Sequence, residues 1–375
     1  MLTTLTATGA PSFGACPTWR QLITSDAPSP RAGHTLTFNP FTNECVLFGG
    51  ASHEEGYYDK VYLLDLETLG WKVADVPLTA NDAAAPARYE HIAAIVQRRG
   101  GSPQLLIMYG AGDEGVRDDV WAFDLETRRW TEWQTKGTKP CGRTIHSAGL
   151  VRTPAVDEKK SNGDSSYEKS RLYVFGGGVA SDAAVLDASV YCLDVDNMLW
   201  IKVTHERQQT SPPTRLGHSF TAIGTKIYLF GGLHLNEAYN DLWIFDTVMR
   251  TWTLQPTSGQ IPSARSGHTT TVSGSKLYVF GGFSKSGKPE VYDHVYVLDT
   301  DSFVWHKPEV AALPPGPPAP SLDHDACVAI GMGPRIGSKV EEVQVPVQTE
   351  SGNALLVFGG MDFSGMHNSL YSLDV

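Results

Sequence analysis

Short runs of Val, Ile, Leu, Tyr, Phe and Trp recur along the chain, and clusters of Gly, Pro, Asn and Asp separate them. Runs of this length and composition predict β-strands joined by turns rather than long helices. Six of them end alike: Val46–Gly50 (VLFGG), Ile107–Ala111 (IMYGA), Tyr173–Gly177 (YVFGG), Tyr228–Gly232 (YLFGG), Tyr278–Gly282 (YVFGG) and Leu356–Gly360 (LVFGG). Their spacing is uneven, as expected where strands keep their length and loops do not.

Each run is followed by an aromatic residue and, three positions later, Asp: Tyr62/Asp65, Trp121/Asp124, Tyr191/Asp194, Trp243/Asp246, Tyr296/Asp299 and Tyr371/Asp374. In five copies a Trp follows that Asp by six residues (Trp71, Trp130, Trp200, Trp252, Trp305), whereas the sixth position lies beyond Val375. Upstream of the glycines stands an Arg with His three residues later: Arg31/His34, Arg88/His91, Arg143/His146, Arg215/His218 and Arg265/His268. The sixth copy keeps His324 but has Ser321 at the arginine position.

One unit therefore holds four strands, and six such units predict an all-β, six-bladed β-propeller. A propeller must close, because an open ring leaves an unpaired strand edge. Trp19 stands about as far ahead of Arg31 as Trp130 stands ahead of Arg143. CPTWRQLI is thus expected to be the outer strand of the last blade, paired with SLYSLD. The predicted boundaries are 15–25 for that closing strand, then blades at 31–75, 88–135, 143–204, 215–256, 265–308 and 321–375.

The balance of charge narrows the partners. A formal net charge of −11 and a pI near 5.5 repel phosphate backbones and anionic lipid, and no dense Lys/Arg run offsets this, so nucleic acid is not expected. Five scattered cysteines (Cys16, Cys45, Cys141, Cys192, Cys327) include no C-x-x-C pair, so neither a disulfide framework nor a zinc site is signalled. The first residues lack a basic start and apolar core, and no apolar run approaches bilayer-spanning length. A reduced, cytoplasmic, monomeric protein without membrane insertion is the expectation.

The glycine pair, the aromatic-x-x-Asp and the trailing Trp resemble the Kelch repeat, over essentially the whole chain. Within that group, ARYEH, GRTIHS, RLYVFGGG, SLDHDAC and LVFGGMDFSG are similar to the Rab GTPase effectors with Kelch motifs. That resemblance implies a stand-alone propeller that binds a GTP-loaded, late-endosomal Rab and assists endosome-to-Golgi transport, held at endosomes through its partner. No appended domain of the kind that couples other Kelch proteins to ubiquitin ligases or acyl-CoA binding is expected.

A residue that recurs once per blade serves what every blade needs, so the six histidines are expected to be structural and the six aspartates to form turns. The five arginines invite two readings. The segment entering the first strand and the loop after the glycines open on one end, so Arg31, Arg88, Arg143, Arg215 and Arg265 could rim the channel mouth as carboxylate forks. Alternatively each binds backbone or an acid within the blades. Residues that break the symmetry are further candidates for specificity: Tyr89, Glu90, Asp323, and the loops 53–59, 113–119, 234–241 and 284–294, with Tyr57, Tyr58, Tyr239 and Tyr292 as aromatic anchors.

No catalytic or metal-binding residues and no cofactor are predicted. The Glu-x-x-x-Asp-x-x-x-His iron pattern of the Kelch specifier proteins begins at Glu237 and Asp241 but meets Phe245 where His is needed. Cys141, just ahead of Arg143, is read as a buried, inert thiol. Two polar insertions, 152–170 and 333–353, fall between the first and second strands of their blades. The expected function is a protein-interaction module, an effector of a Rab-type small GTPase. The alternatives are a metal-dependent lyase or oxidase seated in the channel, and a cytoskeletal or peptide-binding scaffold.

Overall fold

A computed structural model describes residues 17–74, 83–154, 167–179, 181–203, 210–285, 289–330, 336 and 352–375. Six antiparallel sheets stand around a central channel. The first blade orders its strands Ala32–Asn39, Glu44–Ser52, Val61–Asp65 and Trp71–Val73 from the channel outward. The second strands are buried almost throughout, and Ala354–Phe358 is buried at all its positions. Their apolar runs are continuous because neighbouring blades cover both faces. The core is accordingly a set of layers between blades, such as Leu47, Leu64 and Trp71 against Leu356 and Phe358.

The ring closes through the N-terminal strand. Thr18–Leu22 pairs antiparallel with Leu370–Asp374 and completes the sheet that holds Ala354–Phe358 and Asp325–Ala329. Its register is that of every other blade. Trp19 lies opposite Leu373, the residue before Asp374, as Trp71 lies opposite Leu64 and Trp305 opposite Leu298. Residues 15 and 16 of the predicted closing strand lie outside the described residues, as do 155–166 and most of 333–353. Short parallel strands add a tie between neighbours: Lys136–Gly137 joins the outer strand of blade 3, Ser258–Gly259 that of blade 5 and Ala311–Ala312 the closing strand.

Five of the six aspartates make the turns expected of them; Asp374 does not. Asp65 Oδ1 accepts from the amides of Glu67 and Thr68, both at 2.9 Å, and Asp246 and Asp299 do the same for the amides two and three residues on. Asp374 takes Arg20 Nη1 at 2.8 Å, which ties the last strand to the first.

One register differs from the sequence reading. In blade 1 the amide of Gly50 donates to the Arg88 carbonyl of the next blade at 2.9 Å; in blade 2 the equivalent donor is Gly110, to Arg143 at 3.0 Å. The glycine pair is therefore matched by Tyr109–Gly110, one residue earlier than the apolar run ending at Ala111 suggests. The first position needs a left-handed backbone and sits against the next blade. Gly49 has φ +68°, and a Cβ there would lie 2.5 Å from the Arg88 carbonyl oxygen. Tyr109 adopts φ 63° all the same, with its buried ring edge-on to His146 and Trp200.

Candidate interaction face

The channel, about 220 Å³, is lined by the first strands of all six blades and the residues that lead into them. At its mouth the backbone forms part of a ring: Gly33 N donates to Asp323 O (2.8 Å), Glu90 N to Gly33 O (2.7 Å), and Gly217 N to Ile145 O (2.9 Å). These positions require positive φ, and Glu90 (53°), Ile145 (48°) and Asp323 (52°) adopt it where other blades use glycine. Of the symmetry-breaking residues, Glu90 and Asp323 are thus brought together at the mouth. Tyr89 stacks on Tyr57 of the neighbouring blade, centroids 5.2 Å apart and planes 12° from parallel.

The arginines do not rim this mouth. All five side chains are buried, with each Nη1 on the carbonyl of the first residue of its glycine pair, 2.7–3.0 Å away: Arg31 on Gly49, Arg88 on Tyr109, Arg143 on Gly176, Arg215 on Gly231 and Arg265 on Gly281. Each Nε donates to the carbonyl two residues upstream. Arg88 and Arg215 also grip Asp119 and Asp241 with two bonds apiece. The reason is local: a blade end leaves carbonyls directed inward, and a buried acceptor needs a donor. Three of the proposed anchors are used up the same way. Tyr58, Tyr239 and Tyr292 lie under Arg31, Arg215 and Arg265 at 4.0, 4.2 and 4.3 Å.

The histidines bind blade to blade. His91 Nε2 meets Thr35 Oγ1 at 2.9 Å, His324 Nε2 meets Thr269 Oγ1 at 3.1 Å, and the His34, His218 and His268 rings stand edge-on to Phe358, Phe175 and Phe230 of the preceding blade. Among the described residues no three His, Cys, Asp or Glu side chains are grouped to hold a metal ion. Cys141 is exposed, not buried as expected, because its backbone is turned to the blade: its carbonyl accepts from Arg143 Nε.

Burial, and the guanidinium beside the first two, holds His34 and His218 down at about 3 and His324 at about 4; His91, His146 and His268 are likewise lowered. An unfolded histidine titrates near ~6.5, so the native state binds fewer protons. The stability from these groups is complete above about pH 6.5 and is lost as pH falls toward 3–4. Burial raises Asp323 to about 6 and Asp325 to about 7, although Asp325 accepts from the Leu36 and Ala326 amides. These two act oppositely: their contribution is complete below about pH 4 and is lost as pH rises through 6–7. Six groups outweigh two, so Tm is expected to fall steadily from pH 7 to pH 5 in thermal unfolding scans. A flat profile would show that the ring already carries protons when folded.

The sequence reading missed three exposed apolar side chains at the mouth end. Leu186 (90% exposed), Leu235 (67%) and Phe363 (81%) project from the loops that follow the glycines of blades 3, 4 and 6. The loop 234–241 was singled out, but for Tyr239, which is turned inward. No periodicity marks a residue that projects from a loop; its only signal is a large apolar side chain among turn residues.

Comparison with known proteins agrees with this architecture. The family model described as the KLHDC2/KLHL20/DRC7 Kelch-repeats domain matches residues 15–156 and 157–332. Host cell factor 2 of Homo sapiens is 29% identical over 256 residues, 59% of this chain and 29% of that protein. The Rab9 effector protein with kelch motifs of Danio rerio is 29% identical over 240 residues, 60% of each chain, and that of Homo sapiens 28% over 231 residues, 60% of this chain and 55% of the relative. The chain thus spans between 29% and 60% of the length of these relatives. Among the described residues no helix is long and apolar enough to cross a membrane.

Proposed function

This chain belongs to the Kelch-repeat propeller family, and on that premise we propose that it is a protein-interaction module whose partner is a GTP-loaded, Rab-type small GTPase. The partner comes from the relatives named Rab9 effectors. The observation that carries the reading is the mouth end of the ring, where Leu186, Leu235 and Phe363 stand clear of the surface on separate blades. Binding residues concentrate on loops held by a rigid scaffold, and aromatic side chains such as Phe363 are enriched in the cores of protein interfaces. The acidic balance of the chain keeps nucleic acid and anionic lipid away from it.

The mechanism is selection of a switch surface ordered by the γ-phosphate; the propeller performs no chemistry on the nucleotide. In this reading the chain has no catalytic role and reaches endosomes through its partner. Glu90 and Asp323, together at the mouth, supply polar specificity at the centre of the face. The Tyr57–Tyr89 stack stiffens the adjoining rim.

The test is capture of a panel of endosomal Rab proteins, each loaded with GDP or a non-hydrolysable GTP analogue. One triphosphate-loaded member is expected to bind. Leu235→Asp combined with Phe363→Asp is expected to weaken that binding about 30-fold, the scale of a lost hot spot, with Tm unchanged. Equal capture in both nucleotide states would remove the effector reading. Undiminished binding by the double variant would move the interface elsewhere.

A further inference from the structure

The sixth blade lacks the arginine that fills the other five, and the space remains. Beside Ser321 lies a cavity of about 40 Å³, bounded among others by Ala319, Gly359, His367, Ser369 and Tyr371. Each of these is the counterpart of a residue that holds an arginine elsewhere. Ala319 stands where Ser29, Pro86, Cys141, Pro213 and Ser263 accept from Nε, and Gly359 where Gly49, Gly176, Gly231 and Gly281 accept from Nη1. His367 N donates to Gly360 O as Tyr58 N donates to Gly50 O, so His367 is the counterpart of the tyrosine under Arg31, its Nε2 3.2 Å from Asp362 Oδ2. Tyr371 matches Tyr62 and Tyr296, which lie 5.2 and 5.1 Å from their arginines. Ser369 matches Ser189 beside Arg143, and Asp119 and Asp241 in the two blades that add a carboxylate.

Ser321 is 4% exposed, and its Oγ has no hydrogen-bond partner. Ala319 is exposed and His367, Ser369 and Tyr371 are half-buried, so the cavity communicates with the surface. It is larger than the ~10–15 Å³ that one water needs. The acidic chain favours a cation there.

We propose that this cavity in the sixth blade is a binding site for a guanidinium group, the arginine side chain of a partner supplying in trans what five blades supply themselves. Carbonyl oxygens set for a planar fork, with aromatic rings placed for stacking, suit guanidinium better than a compact ammonium, whose point charge does not use the fork. The inference is independent of the GTPase reading, since the site lies within the blade and its chemistry is set by the repeat.

The experiment is a ligand titration of the full chain, read by ligand-observed NMR and by Tm, with methylguanidinium, methylammonium and Nα-acetylarginine amide. Saturable binding of methylguanidinium but not methylammonium is expected, and Ser321→Arg is expected to abolish it while raising Tm. Because Ser321→Arg could fail to fold, Ser369→Asp supplies an independent arm. Restoring the carboxylate of blades 2 and 4 should tighten methylguanidinium about tenfold, as a charge-assisted bond does. Binding of the acetylarginine amide supports a side-chain ligand; binding of methylguanidinium alone assigns the site to a free guanidinium compound and overturns the partner arginine. Equal binding of both cations would make this a general cation site without use of the fork, and affinities unmoved by Ser369→Asp and Ser321→Arg would place the binding outside the cavity; either result overturns the proposal.

Discussion

Trp19→Ala is expected to destabilise the propeller by about 3–5 kcal/mol, the scale for truncating a buried Trp. Trp19 is 2% exposed, tilted against Phe280 at 5.3 Å and edge-on to Tyr371 at 6.5 Å. Its neighbours belong to blades 5 and 6, so the loss falls on the seam where the chain's two ends meet. Arg20 and Asp374, next along the strands, form an ion pair that is partly exposed and too weak to hold the seam without the ring. Opening there would uncover the edge of Leu370–Asp374, whose free amides and carbonyls template association with another chain. Urea unfolding followed by fluorescence, with light scattering in parallel, reads both effects. A midpoint within experimental error of the parent would mean that the closing strand contributes little to the ring.

Arg88→Ala ranks next, with a loss of about 3 kcal/mol, the lower end of the range for breaking a buried ion pair because Asp119 keeps 17% exposure. The substitution strands the carboxylate that Arg88 holds through bonds of 2.7 and 2.8 Å, and it leaves the Tyr109 carbonyl without its guanidinium donor. Trp121 Nε1, which donates to the same carboxylate at 2.9 Å, keeps part of the acid satisfied. Arg88→Lys should recover less than half of the loss, since an ammonium cannot serve a carbonyl and both carboxylate oxygens in one plane. Urea midpoints of the two variants, with that of Asp119→Asn, separate charge from fork geometry. If Arg88→Lys proved as stable as the parent, charge alone would account for the pair.

The sequence showed the repeat plainly because each blade must solve the same packing problem. A continuous apolar second strand, a glycine pair against the next blade and a tryptophan on the outer strand recur wherever blades meet. The closing strand was legible for the same reason: Trp19 could be placed by counting from Arg31. Blade 2 was misread by one residue. Its buried Tyr109 takes the backbone conformation usually left to glycine, and letters alone do not reveal that an aromatic ring pays for the strain by packing on His146 and Trp200.

What the sequence by itself determined is the architecture: strand type, number of blades, the displaced outer strand and the turn aspartates, all set by local pattern and period. What only the tertiary structure decided is the direction of each polar side chain. Arg31, Arg88, Arg143, Arg215 and Arg265 look like a rim when read one blade at a time; in the ring they turn inward, because carbonyls at the blade ends need donors and water cannot reach them. The same contacts turn Tyr58, Tyr239 and Tyr292 inward, leave Leu186, Leu235 and Phe363 outside, and make the missing arginine at Ser321 a cavity. Such outcomes depend on which groups from distant parts of the chain meet, and a one-dimensional pattern carries no record of that meeting.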